Sequence, residues 1–176
     1  MPAIVQLKDI RKSFGPRVIF DDANATLTTD QKAGFIGRNG AGKSTLCKII
    51  IGQDTADSGE VIQSADLRLS YLEQQDPFTP EETVLDFLMR HTGQEAWRCG
   101  EVAGRFQLKH EWLEARVHSL SGGYQTRVKL TSMLLREPNF LVLDEPSNYL
   151  DLKTLILLEE FLRDFRGGFL IVSHDR

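Results

Sequence analysis

Residues 37–44 have the pattern Gly-x-x-x-x-Gly-Lys-Ser, and Thr45 follows directly. An apolar run at 33–36 precedes this stretch and a helical pattern at 46–51 follows it. A strand, a loop and a helix in this order are the context that a phosphate-binding loop requires. We expect the glycines Gly37, Gly40 and Gly42 to adopt positive φ, which lets the backbone N–H groups approach an anion.

The chemistry indicated is the binding of a nucleoside triphosphate. Lys43 would reach the β- and γ-phosphates, and the hydroxyl of Ser44 would bind Mg²⁺. The alternative is an ordinary glycine-rich turn that contains a lysine by chance. The residues that we expect to bind nucleotide in this stretch are Gly37, Asn39, Gly40, Gly42, Lys43, Ser44 and Thr45.

Two adjacent carboxylates, Asp144 and Glu145, follow an apolar run at 140–143 that has the pattern of a strand buried on both faces. An acid in this position, in a chain with a phosphate loop, is expected to be a Mg²⁺ ligand. Neighbouring residues alternate sides, so Glu145 could orient or deprotonate the attacking water. The alternative is that both acids cap the next turn.

Three further residues could take part in nucleotide chemistry. His174 follows a second apolar strand and could donate to the γ-phosphate, although a lone histidine is usually structural. Gln74 leaves another strand and could sense Mg²⁺ or the water. Phe14 precedes the Gly15-Pro16 turn and could stack on an adenine ring, or could equally be a core or hairpin aromatic.

The composition describes one ordinary globular domain: 176 residues, 41% hydrophobic and 26% charged, with a net charge of −4. This charge gives no general nucleic-acid signature, although a local basic patch for an RNA partner stays open. The two cysteines fit no metal spacing, and we expect them to stay reduced. No secretory signal is seen, and no apolar run could span a bilayer. We therefore expect a cytoplasmic location without membrane insertion.

The elements that must position these residues follow an α/β pattern. Short strand candidates between 3 and 28 indicate an antiparallel layer, namely 3–7, 10–14, 18–20 and 25–28. Helical patterns with no strong strand candidate fill 80–118, with Glu81 and Glu82 opening the first turn. Ser121 is a natural N-cap for a helix over 124–136. A last amphipathic helix, 152–165, is expected to bury Leu155, Leu158, Leu162 and Phe165.

The chain resembles an ATP-binding-cassette (ABC) ATPase domain. The matching stretches are the phosphate loop 37–44, the signature loop 120–124 (Leu-Ser-Gly-Gly-Tyr), 143–146 (Leu-Asp-Glu-Pro), the D-loop 147–151, Ser173-His174 and Gln74. The fold implied is an α/β P-loop NTPase: an ABC-type nucleotide-binding domain over 1–176, with a RecA-like core. An N-terminal antiparallel β-subdomain and a helical subdomain, inserted at about 80–118, complete it.

The resemblance also implies roles in a site shared by two cassettes. Glu145 and His174 would be catalytic, and Ser44, Gln74 and Asp144 would hold Mg²⁺. Phe14 and Gln74 would join the phosphate loop in binding ATP. A partner's cassette would cover that ATP with its copies of Ser121, Gly122 and Gly123, whose N–H groups face the γ-phosphate.

The stretch Ser-Asn-Tyr-Leu-Asp at 147–151, together with Ser-His-Asp-Arg at 173–176, resembles the ABC-F proteins. These are soluble tandem-cassette ATPases, many of which act on the ribosome. Tyr124 stands where the signature loop usually has glutamine. The family fold continues beyond the switch histidine, so we expect this chain to be a C-terminally truncated first cassette. The stretch between 74 and 121 leaves little room for the extra arm of some ABC-F cassettes.

Three functions follow from the resemblance. The first is an ABC-F-type ATPase whose partners are a second cassette, in a homodimer or a tandem chain, and the ribosome or its RNA. The second is the ATP-binding subunit of a membrane transporter, in which 80–118 would dock a membrane subunit. The third is a non-catalytic module, against which the intact Lys43, Asp144, Glu145 and His174 argue.

Overall fold

A computed structural model of the chain describes residues 2–72, 76–146 and 150–173. The described residues fall into two compact units. The first unit takes those of 1–71, 138–145 and 166–176, and the second takes those of 72–137 and 146–165. Each unit has its own cluster of buried apolar side chains. Gln74 and His174 lie outside the described residues, as does 147–149 of the D-loop.

The first unit contains a three-stranded antiparallel sheet of order β2-β1-β4. Its strands are β1 (Ala3–Phe14), β2 (Arg17–Thr28) and β4 (Ser58–Gln63). The sequence predicts four short strands where the structure has two long ones. Register shifts in the β1–β2 ladder explain the difference, because each bulge interrupts the alternation of exposed and buried side chains. The two strands meet at a tight turn in which Gly15 has a φ of 59°.

The same unit contains a sheet of order β3-β7-β6-β5. Its strands are β3 (Lys32–Ile36), β5 (Leu69–Leu72), β6 (Phe140–Asp144) and β7 (Gly168–Ser173). The ladders β3–β7 and β7–β6 are parallel, so the carboxyl ends of these strands meet at one edge. Every residue of β6 is buried, as its continuous apolar sequence predicts. Helix α1 (Lys43–Ile50) packs against β6.

The second unit is helical. Its elements are α2 (Val84–Thr92), α3 (Ala96–Arg105), α4 (His110–Leu113), a 3₁₀ turn (Val117–Ser119), α5 (Gly122–Leu135) and α6 (Leu152–Asp164). Between 80 and 118 the described chain pairs in β fashion only at one isolated antiparallel bridge, from Thr83 to Arg116. A predominantly helical segment is therefore confirmed there, while its boundaries as an inserted subdomain stay a prediction.

Helix α2 begins two residues later than the acidic pair suggests. The hydroxyl of Thr83 accepts from Asp86 N at 3.1 Å, and the carboxylate of Asp86 accepts from Thr83 N at 3.3 Å. This reciprocal pair is a capping box. The prediction that Glu81 and Glu82 open the first turn was wrong, because both residues precede the N-cap residue Thr83. Oε1 of Glu82 instead forms an ion pair with Nη2 of Arg90, at 2.9 Å.

The buried residues of α5 include Val128, Thr131, Ser132 and Leu135. In α6 the stripe is rotated relative to the prediction. Leu158 and Leu162 are buried, whereas Leu155 is 37% exposed and Leu157 is buried instead. A run of apolar residues over 155–158 satisfies two helix faces equally, so periodicity alone could not choose between them.

Cys47 and Cys99 are both free and buried. Among the described residues, no helix has the length and apolar content needed to cross a bilayer.

Candidate functional site

The phosphate loop joins the end of β3 to the first turn of α1. Gly37 N donates to Ser173 O at 3.3 Å, which ties the start of the loop to the end of β7. Gly40 and Gly42 adopt left-handed backbone conformations, with φ of 77° and 91°. Gly37 does not, so the expectation of positive φ is confirmed for two glycines and was wrong for the third.

Gly42 is also required by packing. A Cβ built at this position would lie 2.2 Å from Ile19 Cγ2 and 3.0 Å from Phe20 Cζ, both on β2. Gly42 is the N-cap residue of α1, and no side chain caps this helix end. An uncapped N-terminus presents N–H groups and a partial positive charge, which is the arrangement that binds phosphate.

Lys43 is folded over the phosphate loop and is only 6% exposed. Its Nζ donates to Gly37 O at 2.7 Å and to Arg38 O at 3.2 Å. Oε1 of Glu145 lies 3.5 Å from the same nitrogen. The ammonium of Lys43 therefore lies between the backbone of the loop and a carboxylate at the end of β6, where a phosphate oxygen could compete for it.

Glu145 has an unusual backbone. Its φ is 49°, in a region that residues other than glycine rarely adopt, at a cost of about 1–3 kcal/mol. The conformation is held by a hydrogen bond from Glu145 N to Val172 O at 2.8 Å. The residue is 9% exposed. Strain of this kind clusters at functional sites, and here it accompanies the approach of the carboxylate to Lys43.

Asp144 ends β6 and is 3% exposed. Burial raises the pKa of the Cys47 thiol to about 12, and the negative charge of Asp144 adds to this effect. The carboxylate thus acts on α1 near Cys47. Ser44 lies one helical turn before Cys47, on the same face of α1. That Asp144 and Ser44 hold Mg²⁺ together stays a prediction.

The donor set fits Mg²⁺. A serine hydroxyl and a carboxylate supply the hard oxygen ligands that this ion prefers, and Mg²⁺ in such sites takes its other ligands from water and phosphate. In the described ranges, no group of three His, Cys, Asp or Glu side chains could hold a metal alone. Ser44 and Asp144 are thus the described residues that would hold the ion together with a nucleotide, and Gln74 stays a prediction.

Phe14 is 53% exposed at the tip of the β1–β2 hairpin. That exposure argues against the alternative that it is a core aromatic. Lys12 Nζ lies 5.3 Å from the ring centroid, and this lysine is held by Asp54 at 2.8 Å. The exposed ring can stack on a base, although a plain hairpin aromatic stays open.

Asn39 is exposed in the turn of the loop, and Thr45 is half-buried in the first turn of α1.

Sequence reasoning missed a neighbour of these residues. Arg17 Nη2, on β2, donates to Gly40 O at 2.6 Å. No motif includes Arg17, and only the pairing of β1 with β2 places it beside the loop.

In the second unit, α5 begins at Gly122 with Ser121 as its N-cap residue. The predicted cap position is confirmed, but the Ser121 hydroxyl makes no capping hydrogen bond. The amides at this end are consequently not capped by the side chain, as at α1. A Cβ added to Gly123 would lie 2.7 Å from Asp151 Oδ2, so the end of the D-loop packs directly against the signature loop.

A buried arginine supports this contact. Arg127 is 4% exposed, and its Nε donates to Thr154 Oγ1 at 3.0 Å. Oδ1 of Asp151 accepts from Thr154 N at 2.7 Å and caps α6. Hydrogen bonds from the side chain and the backbone N–H of Thr154 lower the pKa of Asp151, and the positive charge of Arg127 adds to this effect. Tyr124, the unusual residue of the signature loop, lies under the Arg127 guanidinium, with 4.8 Å between Cζ of Arg127 and the ring centroid.

The sequence of the chain matches a known protein family. A family model described as "ABC transporter" matches residues 20–148. The matched range contains the phosphate loop, the signature loop, Asp144 and Glu145.

Curated relatives match nearly the whole chain. The ATP-binding protein Uup of Caulobacter vibrioides is 38% identical over 180 residues, which cover 98% of this chain and 30% of that protein. The energy-dependent translational throttle protein EttA of Escherichia coli is 35% identical over 98% of this chain and 32% of its own length. The ribosome protection protein VmlR of Bacillus subtilis is 35% identical, with coverages of 98% and 31%. These three relatives are ABC-F proteins, and the chain spans about a third of their length.

Solved structures show the same fold. The ATP-binding cassette MJ0796 bound to ADP and Pi, in a dimeric post-hydrolysis state, superposes with a TM-score of 0.80 at 24% identity. The alignment covers 98% of this chain and 88% of that one. MJ1267, an ATP-binding cassette of an ABC transporter, gives a TM-score of 0.84 at 21% identity, with coverages of 100% and 83%.

Proposed function

The chain belongs to the ABC transporter family, as one of its ATPase domains, and from this premise we propose that it binds MgATP and hydrolyses it as one half of a head-to-tail pair of cassettes. The observation that carries the proposal is the position of Lys43. Its ammonium lies on the carbonyls of the phosphate loop and 3.5 Å from Glu145. A binding group and a general base thus meet at one uncapped helix N-terminus.

The described residues have separate roles in binding the phosphates and Mg²⁺. The N–H groups of the phosphate loop and of the first turn of α1 bind the β- and γ-phosphates. Lys43 exchanges its carbonyl partners for phosphate oxygens and neutralises part of their charge. Ser44 and Asp144 would hold Mg²⁺, which would supply further positive charge to the polyphosphate.

Glu145 then acts on the water. As Lys43 moves its donors to phosphate, the carboxylate of Glu145 is left to orient and deprotonate a water molecule. The water oxygen attacks the γ-phosphorus, and the bond from that phosphorus to the β–γ bridging oxygen breaks. ADP and inorganic phosphate leave, and the proton is held on Glu145. His174, outside the described residues, is proposed to donate to the γ-phosphate.

The second half of the site comes from a partner cassette. Ser121, Gly122 and Gly123 begin a helix whose N-terminus is not capped by a side chain. In a head-to-tail pair, these amides would face the γ-phosphate held by the other cassette. The isolated chain should therefore bind MgATP and hydrolyse it slowly. Its rate per chain should rise with protein concentration.

The process that ATP drives is proposed to be translation. Relatives at 35–38% identity include a translational throttle protein and a ribosome protection protein, which supports a cytoplasmic ABC-F ATPase acting on the ribosome. The alternative is a transporter subunit. It has less support, because solved cassettes such as these are 19–24% identical to the chain and bear on the fold alone. Co-sedimentation with ribosomes, against recovery in a membrane fraction, separates the two.

Isothermal titration with MgATP tests the binding step. Lys43→Ala should abolish measurable binding, because its ammonium lies on the loop carbonyls of Gly37 and Arg38, where the phosphates are proposed to bind. Lys48→Ala is the matched control, since Lys48 is an exposed lysine on the same helix. Unchanged affinity in Lys43→Ala would refute the phosphate-loop assignment. A parallel measurement of melting temperature with and without MgATP distinguishes loss of binding from loss of the fold.

A further inference from the structure

Arg17 brings a positive charge to the phosphate loop from a strand that carries no nucleotide-binding motif. Its Nη2 donates to Gly40 O at 2.6 Å. A Cβ at Gly40 would lie 3.2 Å from the same nitrogen, so the guanidinium lies directly against the loop backbone. The contact joins β2 to the middle of the phosphate loop.

This contact is one of several between β2 and the loop. Ile19 and Phe20, two and three residues further along the strand, fill the space beside Gly42. Because β2 is fixed in the antiparallel sheet, Arg17 is held at the loop by the strand as well as by its own hydrogen bond. The guanidinium is therefore positioned before any ligand binds, which lowers the entropy cost of using it.

The charge of Arg17 is not neutralised by a neighbouring acid within the described ranges, where no carboxylate oxygen comes within 4.0 Å of it. Arg11, on the neighbouring strand, shows the contrast, because it pairs with Asp22 at 2.8 Å. A guanidinium with one donor on a backbone carbonyl keeps further N–H donors for another acceptor. Planar donors of this kind suit phosphate oxygens.

The position of Arg17 in the hairpin indicates which ligand it would meet. Phe14 and Arg17 face each other as Cα partners across the tight turn. An exposed aromatic ring and a guanidinium are thus presented together at one end of the sheet. The guanidinium lies on the loop, and the ring lies at the hairpin tip.

We propose that Arg17 binds a phosphate oxygen of the nucleotide, so that one β-hairpin recognises both the base and the polyphosphate chain. The proposal rests on the proposed function, because it adds a residue to the same ATP site. It makes Arg17 a phosphate-binding residue outside the phosphate loop.

Binding of ATP, ADP and adenosine to the chain tests the proposal, with displacement of a fluorescent ATP analogue as the readout. Arg17→Ala should weaken ATP and ADP by about tenfold, the loss expected for one charge-assisted hydrogen bond. Arg17→Lys should recover part of the loss. Lys8→Ala, which removes an exposed cation from the adjacent strand, should leave all affinities unchanged.

A second readout is the dependence of the ATP Kd on salt. If Arg17 meets a phosphate, Arg17→Ala should reduce the slope of log Kd against log salt concentration. An ATP Kd within twofold of the wild type would overturn the proposal, as would a weaker Kd with an unchanged salt slope. If Lys43→Ala also keeps ATP affinity, the proposed function itself fails. If only Arg17→Ala keeps it, the error is confined to Arg17.

Discussion

The ammonium of Lys43 and the carboxylate of Glu145 form a buried ion pair, with Nζ and Oε1 separated by 3.5 Å. The pair joins the residue that should bind phosphate to the residue that should activate water. While the pair is formed, Oε1 of Glu145 faces the ammonium of Lys43. Phosphate binding at Lys43 would release the base only when substrate is present.

Glu145→Gln should slow hydrolysis by about a hundredfold or more, since the amide cannot accept the proton from water. MgATP binding should be kept, and the paired cassettes should stay closed on ATP. Single-turnover hydrolysis and equilibrium binding measure the two effects separately. Glu60→Gln, an exposed change on β4, is the control. Normal turnover in Glu145→Gln would show that Glu145 is not the base.

Gly42→Ala should destroy ATP binding and lower the free energy of unfolding by about 2 kcal/mol or more. The residue has positive φ, and its new Cβ would lie 2.2 Å from Ile19 Cγ2. Gly52→Ala separates the two causes. Gly52 has a φ of 76° but no atom within 4 Å of its Cβ position, so about 1 kcal/mol and no loss of ATP affinity are expected. Urea denaturation and titration with MgATP measure both variants, and equal effects would contradict the packing argument.

Arg127 and Thr154 should be energetically coupled. Their buried hydrogen bond of 3.0 Å is lost in either single variant, Arg127→Met or Thr154→Val. Each change should cost about 1–3 kcal/mol of stability, and the double variant less than the sum. A double-mutant cycle in urea gives the coupling energy, for which we expect about 1 kcal/mol. A coupling energy of zero would mean that the hydrogen bond contributes nothing to the packing of α5 on α6.

Cys47 should make stability fall at alkaline pH. In the folded chain its pKa is raised from 9.0 to about 12, so the folded state holds its proton where the unfolded state loses it. The stabilisation is complete below about pH 9 and is lost as the pH rises from there towards 12, with a limiting slope of about 1.4 kcal/mol per pH unit.

The measurement for Cys47 is the free energy of unfolding between pH 8 and about pH 10.5, in the wild type and in Cys47→Ala. The variant should show a smaller decline. Cys99→Ala is the companion, because burial also raises the pKa of that thiol. Parallel curves for the wild type and Cys47→Ala would contradict the prediction.

Local patterns predicted the elements well where one periodicity was dominant. The apolar run of β6 and the strand–loop–helix around the phosphate loop both agree with the structure. Prediction failed where two patterns fit equally, as for the buried stripe of α6, and where bulges broke the alternation of β1 and β2. The start of α2 differs from the prediction because the capping box of Thr83 and Asp86, and not the negative charge of Glu81 and Glu82, sets the first turn.

The sequence motifs name candidate site residues, and they do not name the residues that contact those candidates. Lys43 and Glu145 are read from spacing and from their places beside strands. Arg17 and Arg127 act through contacts with residues 23 and 27 positions away, and no local pattern encodes such pairings. The contacts of these two arginines depend on strand pairing and helix packing, which the local sequence does not specify.

Gly123 lies inside α5 with an ordinary helical backbone, so its lack of a side chain serves the carboxylate of Asp151 rather than any special dihedral angle. The residue types at positions 123 and 151 therefore depend on each other. A methyl group at 123 could be accepted only with a shorter or differently placed side chain at 151. Across related chains, these two positions should change together or not at all, even though they are 28 positions apart in the sequence.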